Sequence, residues 1–141
     1  MSIRHLRSIR RGDRGSAAAE TAVAMPLLLL LILLVVQFGV WAHSLHVAQA
    51  TAAEALSAAR LENASAADGQ SRASAVRDQI GPHALADATV TVTRSADSVS
   101  VHISGTAPRI IPVPFLRLPV RAQASGPVER FRPTGGPPSA R

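Results

Sequence analysis

The stretch AVAMPLLLLLILLVVQFGVWA, residues Ala22–Ala42, is apolar at every position except Gln37. As a helix this stretch extends roughly 31 Å, close to the thickness of the hydrocarbon core of a bilayer. A lone segment in lipid satisfies its backbone hydrogen bonds only as a helix. The sequence therefore predicts one transmembrane helix, with a local kink at Pro26, whose nitrogen carries no hydrogen to donate. A buried core helix is the alternative, but the rest of the chain offers little to cover it.

The charge before this helix predicts its orientation. Five of the 15 basic residues, all of which are arginines, precede it closely: Arg4, Arg7, Arg10, Arg11 and Arg14. No comparable cluster follows the helix. Because basic flanks stay on the cytoplasmic side, residues 1–15 are expected in the cytoplasm and residues 43–141 outside it.

Composition argues against several classes of function. The chain has no cysteine, which excludes disulfides and thiolate chemistry. Its net charge of +6 is concentrated beside the apolar stretch, without interleaved aromatic residues or a nucleic-acid-binding motif. We expect a lipid bilayer, and no nucleic acid, among its partners.

The segment RGSAAAETAVAMP, residues 14–26, connects the basic leader to the apolar stretch. A glycine, Gly15, ends the leader; a small residue, Ser16, follows; and one carboxylate, Glu20, comes five residues after the glycine. This pattern resembles the leader of type IV prepilins, most closely that of the TadE-like pseudopilins of Tad (tight adherence) pilus systems. The resemblance is specific over residues 10–60. Beyond them only the order of the predicted elements is similar. The related TadG-like proteins, which are generally longer, remain an alternative.

The resemblance implies a minor pseudopilin, a non-enzymatic structural or assembly subunit of a pilus or secretion apparatus. It implies cleavage after Gly15 by a prepilin peptidase, so that Ser16 becomes the new N-terminus. Implied partners are this peptidase, other pilin and pseudopilin subunits and the inner-membrane pilus assembly platform. The chain would be a single-pass protein of the cell membrane, and incorporation into a surface pilus is a further expectation.

Glu20 admits three interpretations. Its carboxylate lies four residues after Ser16, on the same helical face, and can pair with the amine that cleavage would create. The resemblance implies instead a pairing with the amine of a neighbouring subunit, which would set the stagger between helices. The third interpretation is a favourable interaction with the positive end of the helix, typically about 0.3–1 kcal/mol.

The sequence after the apolar stretch, residues 43–141, predicts an α+β fold with a pilin-like layout. A leader (1–15) and a transmembrane helix (16–42) precede a helical continuation (43–62), a small α/β domain (63–129) and a disordered tail (130–141). Apolar residues at helical spacing form a stripe in the continuation: Leu45, Ala48, Ala52, Leu56 and Ala59. Residues 63–70 have the composition of a loop. Ser71 is expected to cap a short helix that runs to Ile80 and carries Ala73, Val76 and Ile80 on one face. Apolar and polar residues alternate at 89–93 and at 98–104, which predicts a hairpin. The proline-rich residues 107–119 are expected to form a loop, and residues 118–124 a third antiparallel strand.

Catalytic and metal sites are not evident. No serine lies in a nucleophile-elbow pattern, and the acids of the exported part are widely separated. His43 and His46 are three residues apart on a helix, but a third metal ligand is not apparent. His83 and His102 are isolated in the sequence and are expected to face solvent. We therefore expect no enzyme activity, no metal and no cofactor.

Two other functions remain open. Ala48-Gln49-Ala50 fits an ordinary signal-peptidase site that would release a secreted module from Thr51, although the apolar region is long for a signal peptide. Alternatively, an uncleaved signal anchor would tether a small interaction domain.

Overall fold

The computed structural model describes residues 9–80, 83–113 and 116–130, with side chains from residue 15 onward. A long helix α1, Ile9–Arg60, is followed by helix α2, Ala66–Ile80, and by strands β1, Ala86–Arg94, β2, Ser98–Thr106, and β3, Pro119–Pro127. The strands form one antiparallel sheet in the order β1-β2-β3. This α+β architecture with a transmembrane-like helix confirms the predicted fold class.

The sheet packs its apolar face against the second half of α1. On β2, Val99, Val101 and Ile103 are buried and His102 and Ser104 are exposed, as the alternation predicts. The apolar stripe of α1 meets this face at Ala48 and Ala52, which are buried, and at Leu45 and Leu56, which are half-buried. Ala59, the last residue of the stripe, is also buried and lies against Gly69 of α2. Because alanine side chains are short, the helix backbone approaches the sheet closely.

Helix α2 begins earlier than the sequence predicted. Residues 63–70 were expected to form a loop and Ser71 to cap the helix, but the helix begins at Ala66. Ser65 is the true cap: its hydroxyl accepts a hydrogen bond from the Asp68 amide (3.3 Å), and its own amide donates to the Asp68 carboxylate (2.7 Å). This reciprocal pair satisfies two amide groups that the first turn leaves without partners.

Gly69 explains how α2 packs against α1. A Cβ atom at Gly69 would lie 2.8 Å from Cβ of Ala59 and 3.0 Å from the carbonyl oxygen of Ala55. Only glycine permits this approach without a shift of one helix. Of the three residues predicted to share one face, Ala73 and Val76 are buried, whereas Ile80 at the helix end is 48% exposed.

The carboxyl end of α1 is held by residues at one end of the sheet, where β1 and β3 finish. The Arg94 guanidinium donates to the carbonyl of Ala59, and the Glu129 amide donates to the carbonyl of Arg60 at 2.9 Å. These bonds satisfy carbonyl groups that a helix end leaves free. The predicted tail lies outside the described residues from 131 onward, as do residues 1–8 of the predicted leader.

Candidate processing and assembly site

The three residues of the candidate site lie on one exposed part of α1. Gly15, Ser16 and Glu20 are helical and solvent-exposed, and the alanines between Ser16 and Glu20 are strong helix formers. Ser16 and Glu20 are separated by about one helical turn, roughly 6 Å along the axis. The structure therefore brings them onto one face, as the spacing predicted.

Gly15 has no role in the packing of this chain. A Cβ atom at this position would meet no atom within 4 Å. Glycine within a helix costs about 1 kcal/mol relative to alanine. Gly39 also has free space around it, so free space alone does not mark a cleavage site. The backbone at Gly15 is helical here, and a peptidase that reads an extended chain must first unwind the helix locally.

Glu20 lies beside a shallow surface depression, which is lined by Glu20, Thr21, Ala24, Met25 and Leu28. The neighbouring Thr21 hydroxyl donates back to the carbonyl of Ala17 at 2.9 Å and so does not compensate the carboxylate. Within the described residues, the Glu20 carboxylate forms no hydrogen bond or ion pair. This carboxylate is available to a partner outside the described chain.

The helix after Glu20 exposes apolar side chains on all sides. Val23 is 64% exposed, Leu29 59% and Phe38 65%, and in the described part of the chain α1 is the one helix long and apolar enough to cross a membrane. A core helix of a soluble domain would bury these side chains. The exposure supports a single-pass membrane anchor.

The anchor passes through Pro26 without a break, since residues on both sides of it are helical. The kink predicted at this residue stays a prediction.

Gln37 joins the anchor to the domain, a role that the sequence analysis missed. Its side chain is 2% exposed. Its Nε2 donates to the carbonyl of Pro108 at 3.0 Å, and its Oε1 accepts from the amide of Ile110 at 2.8 Å and that of Ile111 at 3.4 Å. The signal in the sequence was one amide within an otherwise apolar run.

Trp41 makes a second link one turn later. Its indole N–H donates to the carbonyl of Pro119 at 3.2 Å, and its ring lies 5.4 Å from that of Phe38. Both Gln37 and Trp41 therefore hold the ends of the β2–β3 connection against the helix.

The histidines do not converge. His43, His46, His83 and His102 are all exposed, which confirms the prediction for His83 and His102. Among the residues that the structure describes, no group of three or more His, Asp or Glu side chains could hold a metal ion.

Comparison with known proteins connects the site to one family. Residues 15–57 match the family model described as TadE-like protein, which confirms over this segment the resemblance drawn from the sequence. The match begins at Gly15 and runs through the anchor into the domain-packed part of α1. No curated protein and no solved structure matches the chain.

Proposed function

We propose that this chain is a minor pseudopilin, because residues 15–57 match the TadE-like family model. It is a non-enzymatic structural or assembly subunit of a Tad-type pilus or related secretion apparatus, anchored in the membrane by α1. The observation that carries the proposal is the arrangement of Gly15, Ser16 and Glu20 on an exposed helical segment directly before an uncovered apolar helix.

The first step in this function is processing by a prepilin peptidase. Hydrolysis of the bond between Gly15 and Ser16 leaves a carboxylate on Gly15 and an ammonium group on Ser16. It also removes the arginine-rich leader, whose charge holds the N-terminus at the cytoplasmic surface. The domain on the far side of the membrane is unaffected, because the residues of its core lie after Gln37.

The second step is assembly through Glu20. A carboxylate costs about 2.5–3.5 kcal/mol at the centre of a bilayer, and less near the interface. An ammonium group on Ser16 of a neighbouring subunit offsets this cost, so that contacts between subunits in the membrane are favoured at one stagger. The exposed carboxylate, without a partner in the described chain, is consistent with this role.

The proposed partners follow from these steps. They are the peptidase, other pilin and pseudopilin subunits, the assembly platform in the inner membrane and the lipid around α1. The N-terminus faces the cytoplasm, the α+β domain lies outside it, and the assembled subunit becomes part of a surface pilus.

The core of the domain argues against release from Thr51. Cleavage after Ala50 would remove Val47 and Ala48, which are 3% and 0% exposed. It would also cut α1 within the part that packs against the sheet. A secreted module that starts at Thr51 would lack these core residues of α1, and we therefore favour the anchored form.

Assembly in the native host distinguishes a pseudopilin from a plain signal anchor. Glu20→Ala should leave membrane insertion intact but abolish co-purification with the pilus or its assembly complex. Glu54→Gln is the matched control, since Glu54 is a glutamate of the same helix whose ion pair with Arg72 is exposed and weak. Normal assembly of the Glu20→Ala chain would contradict the assembly role.

A further inference from the structure

The β2–β3 loop, residues 107–113 and 116–118 of the described chain, lies at the anchor end of the domain. In its first part, the Pro108 carbonyl and the Ile110 amide are hydrogen-bonded to the side chain of Gln37. Gln37 is the most N-terminal buried residue of the described part of α1. Leu33, one turn earlier on the same helical face, is half-buried, unlike its neighbours on either side. The loop is therefore the part of the domain nearest to the apolar anchor.

The length of the anchor fixes the depth of this loop. A helix crosses about 30 Å of hydrocarbon with about 20 residues. If the crossing begins directly after Ser16, it ends at Val36, and Gln37 lies at the boundary. If it begins after Glu20, the boundary falls beyond Gln37, and the loop lies deeper. In both cases the loop meets the membrane.

The side chains of the loop suit a lipid interface. Ile110 is 47% exposed and Pro112 is exposed, although both are apolar. They are flanked by Arg109 and Arg117, which are exposed and form no ion pair with any acid of the described chain. Long arginine side chains near an apolar segment extend to the headgroup region.

A small cavity between the loop and the sheet adds to this charge. It has a volume of about 120 Å³, and its lining includes Arg109, Arg117 and Asp87. Two guanidinium groups and one carboxylate leave a net positive charge. The charge of the site therefore complements the phosphate of a lipid headgroup.

We propose that this loop is a second membrane contact of the protein. Ile110 and Pro112 enter the interfacial region of the leaflet on the domain side, and the guanidinium groups of Arg109 and Arg117 bind lipid phosphate groups. The contact fixes the tilt of the domain relative to the membrane. It rests on the anchoring of α1 in a bilayer and is independent of cleavage at Gly15.

Spin labels on single cysteines test this directly, because the chain has no native cysteine. The full chain is reconstituted into vesicles of phosphatidylcholine and phosphatidylglycerol, with a label at Ile110→Cys. Leu29→Cys serves as the reference within the anchor and His102→Cys as the reference on the outer face of the sheet. The accessibility of each label to oxygen and to a water-soluble nickel chelate is then measured.

The expected result is a label at position 110 with an intermediate depth. Its ratio of oxygen to nickel accessibility should exceed that at His102→Cys several-fold and fall below that at Leu29→Cys. A ratio equal to that at His102→Cys would overturn the proposal while leaving the anchor intact. A water-exposed label at Leu29→Cys would overturn the anchor as well. Low access to both reagents with spin–spin broadening would mean that a second copy covers the loop, which also overturns the proposal.

Charge substitutions test the role of the arginines. In the Ile110→Cys chain, Arg109→Gln and Arg117→Gln should each lower the lipid-inserted fraction relative to the water-exposed fraction by about fivefold in phosphatidylglycerol vesicles. Arg121→Gln, on the exposed face of β3, is the matched control and should have no effect. Unchanged insertion in both loop variants would overturn phosphate binding.

Discussion

The side-chain oxygen of Gln37 in α1 accepts a 2.8 Å hydrogen bond from the backbone amide of Ile110, 73 positions later in the chain. The side-chain nitrogen of Gln37 at the same time donates to the carbonyl of Pro108. Both hydrogen-bonding atoms of the amide are thus satisfied within the protein. This pair joins the end of the membrane anchor to the β2–β3 loop of the domain.

Gln37→Ala should loosen that loop. The substitution leaves the Ile110 amide and the Pro108 carbonyl without protein partners, and a buried unpaired polar group costs about 1–3 kcal/mol. Hydrogen exchange at the Ile110 amide, measured on the full chain in lipid nanodiscs, should accelerate by at least about fivefold.

Gln49→Ala is the control for this substitution, since Gln49 is an exposed glutamine of the same helix. It should leave exchange at Ile110 unchanged. Equal exchange rates in the Gln37→Ala and parent chains would contradict the coupling.

Gly69→Ala should destabilise the packing of α2 on α1. The added Cβ would lie 2.8 Å from Cβ of Ala59 and 3.0 Å from the Ala55 carbonyl oxygen, neither of which is a flexible end of a side chain. Overpacking of this kind typically costs about 1–3 kcal/mol, against a gain of at most about 1 kcal/mol in helix propensity. The free energy of unfolding should therefore fall in denaturant titrations followed by fluorescence of Trp41, the single tryptophan.

Gly39→Ala supplies the comparison. A Cβ atom there meets nothing within 4 Å, so this variant should unfold at the same denaturant concentration or a higher one. If both glycine variants lost the same stability, steric contact with Ala59 would not be the cause.

The cap of α2 predicts a pH dependence. Hydrogen bonds from the hydroxyl and the backbone amide of Ser65 hold the pKa of the Asp68 carboxyl below its ordinary value. Because this pKa is lower in the folded than in the unfolded state, the contribution to stability is present above the unfolded pKa. It is lost as the pH falls through the folded pKa. Ser65→Ala should raise the pKa of Asp68 towards the ordinary value in an NMR titration of its carboxyl carbon.

Ser74→Ala is the control for the titration of Asp68. The Ser74 hydroxyl donates to the carbonyl of Gln70, within the same helix and away from the cap. The titration of Asp68 should be unaffected by it. An unchanged pKa of Asp68 in Ser65→Ala would show that the hydroxyl does not stabilise the carboxylate.

The periodicity of apolar residues predicted which side of a single helix or strand is buried. The alternation of Val99, Val101 and Ile103 with polar residues specified β2 and its buried side, and the apolar stripe specified the sheet-facing side of α1. The start of α2 was wrong because residues 63–70 have the composition of a loop. The Ser65–Asp68 pair nevertheless satisfies the first-turn amides and lets the helix begin at Ala66.

The role of Gln37 could not be predicted from local pattern. Its partners are backbone atoms of a proline-containing loop, and nothing in the residue types of that loop identifies which amide it presents. The candidate site near Ser16 shows the opposite situation. Its residues make few contacts in the described chain, so that residue type and spacing carried its prediction and the fold added mainly their exposure.

Processing after Gly15 can be read from the mass of the N-terminal peptide of the protein isolated from its native cells. If the bond after Gly15 is the processing site, the mature chain starts at Ser16, and the leader is retained when the prepilin peptidase is inactivated. A chain that keeps Met1 while the peptidase is active, or one that starts at Thr51, would contradict cleavage at this bond.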